Sequence, residues 1–264
     1  MAKNVFIFVP AFGQQISAAT FMCTHQLIQH LATKSVGGSV STLSFPDIAE
    51  LRSMAMTIWY DTMPQFEYLL FVDADMAFPP EIVSDMMLFD EPIVGAIYPQ
   101  RKIPISWAGS GTGGPMTERR GNFMKVEGVG MGCTLIRRDV VPKFLENHPE
   151  LTDLRIELHP ARQMLEQTGT KRIIRAFEKL DLKERGLVSE DLSFCIRWNN
   201  MGGTCWAAIG YEMHHIGPYD YHGCYLQHVE QSMAEQEAKK AAEAQQLPFV
   251  EPEKQTIETL IAAE

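Results

Sequence analysis

Asp73 and Asp75 stand two residues apart at the end of the apolar run Tyr68-Leu69-Leu70-Phe71-Val72. Five such residues in a row read as a strand buried on both faces. The two carboxylates then lie at its carboxyl end, where open α/β sheets bind ligands. Side by side they repel and lose hydration, so they require either open solvent or a neutralising cation. A hard divalent ion carrying substrate phosphates suits the second case, and a solvated acidic turn suits the first. A second pair, Glu190 and Asp191, follows Ser189 at the start of a helix. Carboxylates there complement the helix dipole, and one within reach of a hydroxyl is also able to take its proton. His214, His215 and His222 fall within nine residues. Imidazole is a common metal ligand, although a single histidine is as readily a structural hydrogen-bonder.

These groups need a frame. Val5 to Val9 reads as a first buried strand closed by the turn Pro10-Ala11-Phe12-Gly13. A helix over 17–32 turns Phe21, Leu27, Ile28 and Leu31 to the core and stops at Gly37-Gly38, and Val40 to Leu43 is a second strand. Asp47 caps a helix that runs to about Met63 before Pro64. With the strand ending at Asp73, this is a Rossmann-like half. Beyond it the sequence predicts a helix over 81–89, a strand over 92–98 and an irregular Gly-, Pro- and Arg-rich loop over 99–120. A short strand over 122–126 follows, then alternating glycines at 128, 130 and 132 that suit close backbone approach to a ligand. Helices over 140–147 and 159–167, a strand over 172–177, the helix capped by Ser189, a last strand over 204–209 and a loop bearing the histidines complete the frame. From Val229 onward the chain is rich in Ala, Glu, Gln and Lys, with a break at Leu247-Pro248, and reads as a solvated helical tail and an oligomerisation arm.

The chain has 264 residues, of which 45% are apolar, enough for one main core. No apolar run approaches the ~20 residues that span a bilayer, and no signal-peptide pattern follows Met1, so a soluble, cytoplasmic protein is expected. Five scattered cysteines without Cys-x-x-Cys read as reduced core thiols. The net charge of -10 argues against general nucleic-acid binding. Residues 96–186 nevertheless carry 16 basic against 11 acidic side chains, which suits an anionic donor or acceptor and equally a scattered basic surface without function.

In this order, Phe6-Ile7-Phe8-Val9-Pro10, Leu70-Phe71-Val72-Asp73-Ala74-Asp75, Ser189-Glu190-Asp191-Leu192-Ser193-Phe194-Cys195 and His215-Ile216-Gly217 resemble a GT-A fold glycosyltransferase, similar to the family-2-like enzymes of bacteria and viruses, over residues 4–224. The resemblance implies an α/β fold with a mixed, mainly parallel central sheet flanked by helices, a catalytic domain over 1–228 and a helical tail over 229–264. It implies transfer of a hexose or pentose from a nucleotide-diphosphate sugar, with Mn²⁺ or Mg²⁺ bound by Asp75 and His215 and with Asp73 facing the ribose or the metal shell; His214 is the alternative to His215. Pro10, Ala11 and Phe12 would line the base and ribose pocket beside Ala74. Arg52 would contact the nucleotide, although Ser53 stands where many relatives have Asn. Glu190 and Asp191 match the family's helix-start acid motif, with Asp191 as general base of an inverting transfer; retaining members of the fold lack a fixed base. The acceptor is a glycan or a hydroxymethylated base in viral DNA, the latter placing a virus-encoded enzyme in the host cytoplasm. Two other readings share such a core. A sugar nucleotidyltransferase would carry a basic, Gly-rich loop after the first strand, and Ala11-Phe12-Gly13-Gln14-Gln15 has no Lys or Arg. A non-catalytic nucleotide- or sugar-binding scaffold would keep the fold alone.

Overall fold

The computed structural model describes residues 3–109 and 118–245, the last three as backbone. The expected loop over 99–120 is therefore described only in part, and the tail beyond residue 245 lies outside the described residues. The chain divides into two compact units, Met1–Leu226 and Gln227–Glu264.

The first unit is a mixed α/β fold. It begins β1 (Val5–Pro10), α1 (Ala18–Thr33), β2 (Gly38–Leu43), α2 (Ile48–Thr62), β3 (Tyr68–Val72), β4 (Met76–Ala77) and α3 (Glu81–Phe89). Next come β5 (Ile93–Ala96), β6 (Tyr98–Pro99), β7 (Trp107–Ala108), β8 (Arg119–Arg120), β9 (Phe123–Val126), β10 (Cys133–Arg137) and α4 (Val140–Asn147). A small region follows with β11 (Thr152–Asp153), α5 (Arg162–Gln167), β12 (Ile173–Ile174), β13 (Asp181–Leu182) and β14 (Gly186–Leu187). The unit then runs through α6 (Glu190–Asn200), β15 (Cys205–Ala208), β16 (Glu212–Ile216) and β17 (Asp220–Cys224) into the start of α7 (Tyr225–Gln245), most of which forms the second unit.

Among the described residues the main sheet has eight strands in the order β2-β1-β3-β10-β5-β15-β9-β8. The pairs β1–β2, β1–β3 and β5–β15 are parallel, whereas β10 and β9 run against their neighbours. Every residue of β1 and β3 is buried because helices cover both faces. Val5, Ile7 and Val9 pack toward Leu27 and Leu31 of α1 and Val83 of α3. The opposite face is aromatic, with Phe8 on Phe71, Phe71 on Phe177 and Phe177 stacked on Phe194 of α6 at 4.6 Å. This is the mixed, mainly parallel architecture that the sequence resemblance implies.

Several local expectations are corrected. Phe21 is 65% exposed, and Thr20, Cys23 and Thr24 complete the buried stripe of α1 instead. Ser189 precedes α6 without a side-chain cap bond. The expected helix over 159–167 forms only at 162–167, and the strand over 172–177 shrinks to the two residues of β12. The histidines lie in the hairpin of β16 and β17, not in a loop. All five cysteines are buried and free. No described helix is long and apolar enough to cross a membrane.

Candidate active site

The carboxyl end of β3 opens into a tight turn. The amide of Asp73 donates to the carbonyl of Gly132 on the way into β10, and the amide of Met76 donates back to the Asp73 carbonyl, both at 3.1 Å. The carbonyl of Ala74 accepts from Ser17 at the start of α1, and that of Asp75 accepts from Ile216 at the end of β16. The turn is thus pinned by three elements.

Asp73 Oδ1 accepts from Arg52 Nη2 at 2.8 Å, and Arg52 Nη1 donates to Glu190 Oε1 at 2.5 Å. One buried guanidinium therefore ties the end of β3 to the start of α6. Burial disfavours its charge, but Asp73, Glu190 and Asp191 outweigh burial and raise its pKa. Asp75 points elsewhere: its Oδ2 lies 2.9 Å from Arg101 Nη1 and 3.5 Å from His215 Nε2. β4 pairs with β16 so that Met76 faces His215. Strand alternation turns His214 away, to Asp220 at 2.9 Å and onto the ring of His222.

The fit of a divalent cation is read from His215. Its Nδ1 faces the Pro99 carbonyl at 2.9 Å. A carbonyl only accepts, so Nδ1 holds the proton and Nε2 turns a lone pair toward the Asp75 carboxylate. Two electron-pair donors converge, and either a second proton or a metal ion resolves the conflict. Among the described residues no group of three or more His, Cys, Asp or Glu side chains is gathered for a metal. Asp75 and His215 are the two converging donors here, fewer than a divalent ion takes from protein alone. Asp73 is turned to Arg52 instead of joining them.

Without metal the proton has electrostatic consequences. Burial alone would lower the His215 pKa, but the bonds to Asp75 and the Pro99 carbonyl raise it overall. Burial alone would raise that of Asp75, but His215 and Arg101 hold it below the usual carboxylate range. The pair's stabilisation is present above the ordinary Asp value and lost as pH falls through the depressed Asp75 value. It is complete below the ordinary His value and lost as pH rises through the raised His215 value. In EDTA, the melting-temperature gap between wild type and His215→Gln is therefore expected to narrow from about pH 6 to about pH 9. A constant gap in pH-resolved thermal melts would contradict this pairing.

Glu190 and Asp191 are adjacent on the first turn of α6, yet they border different cavities. Glu190 lines one of about 620 Å³ together with Pro10, Phe12, Arg52, Asp73, Ala74 and Asp75. Asp191 lines a neighbouring one of about 240 Å³ with Gln100, Gly128, Gly130 and Ser189. Ala11 is buried and is not among the lining residues of the larger cavity. Asp191 Oδ1 accepts from the amide of Leu192 at 2.8 Å and from the Ser189 hydroxyl. Both bonds fall on Oδ1, which leaves Oδ2 with capacity for an incoming proton.

Tyr98, which sequence reasoning passed over, supports this region. Its ring meets His215 edge-on at 5.6 Å, and its hydroxyl accepts from the amide of Gly132. Burial, with the charges of Asp73 and Asp191, pushes the phenol's pKa far up, so it stays neutral. The alternating glycines follow from it. A Cβ on Gly132 would sit 2.7 Å from Tyr98 Cζ, and one on Gly130 would strike the hydroxyl. Gly130 and Gly132 thus both approach this ring, and Gly128 and Gly130 also border the smaller cavity. Gly132→Ala is expected to destabilise the protein by about 1–3 kcal/mol through overpacking, measured by urea denaturation.

No family model and no curated protein matches the sequence. Among solved structures, the chain is similar to A197 from STIV, with 15% identity over 81% of this chain and 86% of that one, at a TM-score of 0.46. It is similar to a glycosyltransferase involved in glycosylation of the major capsid of PBCV-1, with 12% identity over 62% and 74% of the two chains, at 0.33. It is also similar to the catalytic domain of Drosophila β1,4-galactosyltransferase 7 in complex with xylobiose, with 12% identity over 78% and 65%, at 0.36.

Proposed function

We propose that this protein is a metal-dependent glycosyltransferase that moves a sugar from a nucleotide-diphosphate sugar to an acceptor hydroxyl. The observation that carries the reading is that Glu190 and Asp191, consecutive residues of α6, border two different cavities, the larger bordered also by Asp73 and Asp75. Group transfer between two substrates calls for this arrangement, with one carboxylate in the framework of the donor site and its neighbour free to act on the acceptor. The donor occupies the larger cavity, its base and ribose near Pro10 and Phe12 and its diphosphate near Asp75. Asp75 and His215 would hold Mn²⁺ or Mg²⁺, and such an ion would supply charge stabilisation for a departing diphosphate.

Arg52 keeps Asp73 and Glu190 in register across the floor of this site. The acceptor enters the smaller cavity. Asp191 Oδ2 takes the proton of its hydroxyl as the oxygen attacks the anomeric carbon, the new glycosidic bond forms, and the bond to the diphosphate breaks. Attack from the face opposite the leaving group inverts the anomeric centre. A glycan and a hydroxymethylated DNA base are the two acceptor classes carried forward. A DNA acceptor requires binding that weakens steeply with salt, and a flat salt dependence favours the glycan.

The test is release of free nucleoside diphosphate from a panel of UDP-, GDP- and dTDP-sugars with Mn²⁺ present or chelated. Mn²⁺-dependent release from one donor is expected. Release of pyrophosphate from a nucleoside triphosphate and a sugar phosphate would point to nucleotidyl transfer instead.

A further inference from the structure

Arg101 has no role in the reading above, yet it is placed for one. It follows β6 at the base of a short excursion closed by the pairing of Tyr98 with Ala108 and Pro99 with Trp107, and by the amide of Gln100 donating to Ser106. Its guanidinium reaches Asp75 at 2.9 Å while its side chain stays 49% exposed. The stem lies on Gly217, just past β16: a Cβ there would sit 2.9 Å from Arg101 Cδ and 3.4 Å from the ring of Tyr221. Gly217 is not among the glycines with positive φ, so the backbone does not demand glycine at this position. A side chain there would instead press on the arginine stem.

The charges around the larger cavity say what the guanidinium serves. Asp73, Asp75 and Glu190 line it, and Arg52 already spends both terminal nitrogens on Asp73 and Glu190. A diphosphate entering beside Asp75 meets surplus negative charge, and Arg101 is the permanently charged side chain in contact with that carboxylate, beside His215. We infer that Arg101 is a donor-binding residue: it pairs with Asp75 when no donor is bound, and would move to the donor's diphosphate if a divalent ion took its place on the carboxylate. The bond is half solvent-exposed, so giving it up costs little. The guanidinium's planar set of donors suits two phosphate oxygens at once. This inference rests on the donor reading proposed above.

The two halves of the exchange predict effects of opposite sign. Arg101 competes with metal for Asp75 and cooperates with metal in holding diphosphate. Arg101→Gln should therefore bind Mn²⁺ alone at least as tightly as wild type, read by electron paramagnetic resonance. The same variant should bind UDP or GDP, whichever the wild type prefers, about tenfold or more weakly in the presence of Mn²⁺, the scale of one charge-assisted hydrogen bond. The corresponding uncharged nucleoside should bind both proteins equally. Arg101→Lys should recover part of the loss, and Gly217→Val, which displaces the stem, should mimic Arg101→Gln. Unchanged diphosphate affinity in Arg101→Gln overturns the assignment and leaves the donor reading standing. A parallel loss of Mn²⁺, nucleoside and diphosphate binding marks a merely structural role and also overturns it. If wild-type protein binds no nucleoside diphosphate with or without Mn²⁺, the donor reading and this inference fall together.

Discussion

Replacing Arg52 by leucine is expected to destabilise the protein by about 3 kcal/mol, near the lower end of what breaking a buried ion pair costs. The guanidinium is 5% exposed and holds Glu190, 13% exposed, and Asp73, 27% exposed. Removing it leaves two carboxylates facing each other in a poorly hydrated space. Asp73 keeps some contact with water, which moderates the loss. Arg52→Lys should recover only part of it, because an ammonium is a single point of charge and the two carboxylates approach different guanidinium nitrogens. Urea denaturation in Mn²⁺-free buffer reads the effect without involving catalysis. A loss below about 1 kcal/mol would mean that the bridge between β3 and α6 is not structural. Since that bridge holds Glu190 and Asp73 together beside the larger cavity, activity should fall in both variants.

Asp191→Asn carries the largest expected effect on turnover. The amide keeps the size of the side chain and can still accept from the Leu192 amide, but it cannot take a proton. Turnover should fall about 10²- to 10⁴-fold, the usual contribution of a positioned general base. Nucleoside diphosphate affinity should stay unchanged, because Asp191 borders the smaller cavity and not the larger one. Glu190→Gln should behave differently, since it keeps an acceptor for Arg52 but removes one charge of the buried clamp, and so reduces stability along with turnover. Steady-state kinetics combined with binding separates the two. Equal turnover in wild type and Asp191→Asn would remove the base from the mechanism.

Much of this arrangement is legible in the residues themselves. The apolar run ending at Asp73 reads as a covered strand, and the strand, helix, strand, helix before it order the first half of the sheet. Asp47 does cap α2 through the amide of Glu50, as its type and place predict. What escapes is set by contacts between distant segments. β10 inserts antiparallel between β3 and β5, and nothing local in Cys133–Arg137 encodes that partner. The hairpin of β16 and β17 escapes because its polar, histidine-rich composition reads as loop, whereas its pairing with β4 is what aims His215 at Asp75. Of the alternating glycines, Gly130 and Gly132 approach Tyr98, more than thirty residues earlier in the chain, a contact that no local pattern encodes. Arg101 lay within a stretch readable only as basic and irregular. Its distance to Asp75 separates it from its neighbours.

The central claim, a nucleotide diphosphate held beside Asp75 and His215 with a divalent ion, is tested most directly by thermal shift of wild-type protein and Asp75→Asn. The panel is UDP, GDP, CMP and dTDP, each with Mn²⁺ and with EDTA. A nucleotide that binds only the folded state raises the melting temperature. One nucleoside diphosphate is predicted to do so with Mn²⁺ and not with EDTA, and to have no such effect on Asp75→Asn. A shift of equal size with EDTA, or no shift with any nucleotide, would contradict the account.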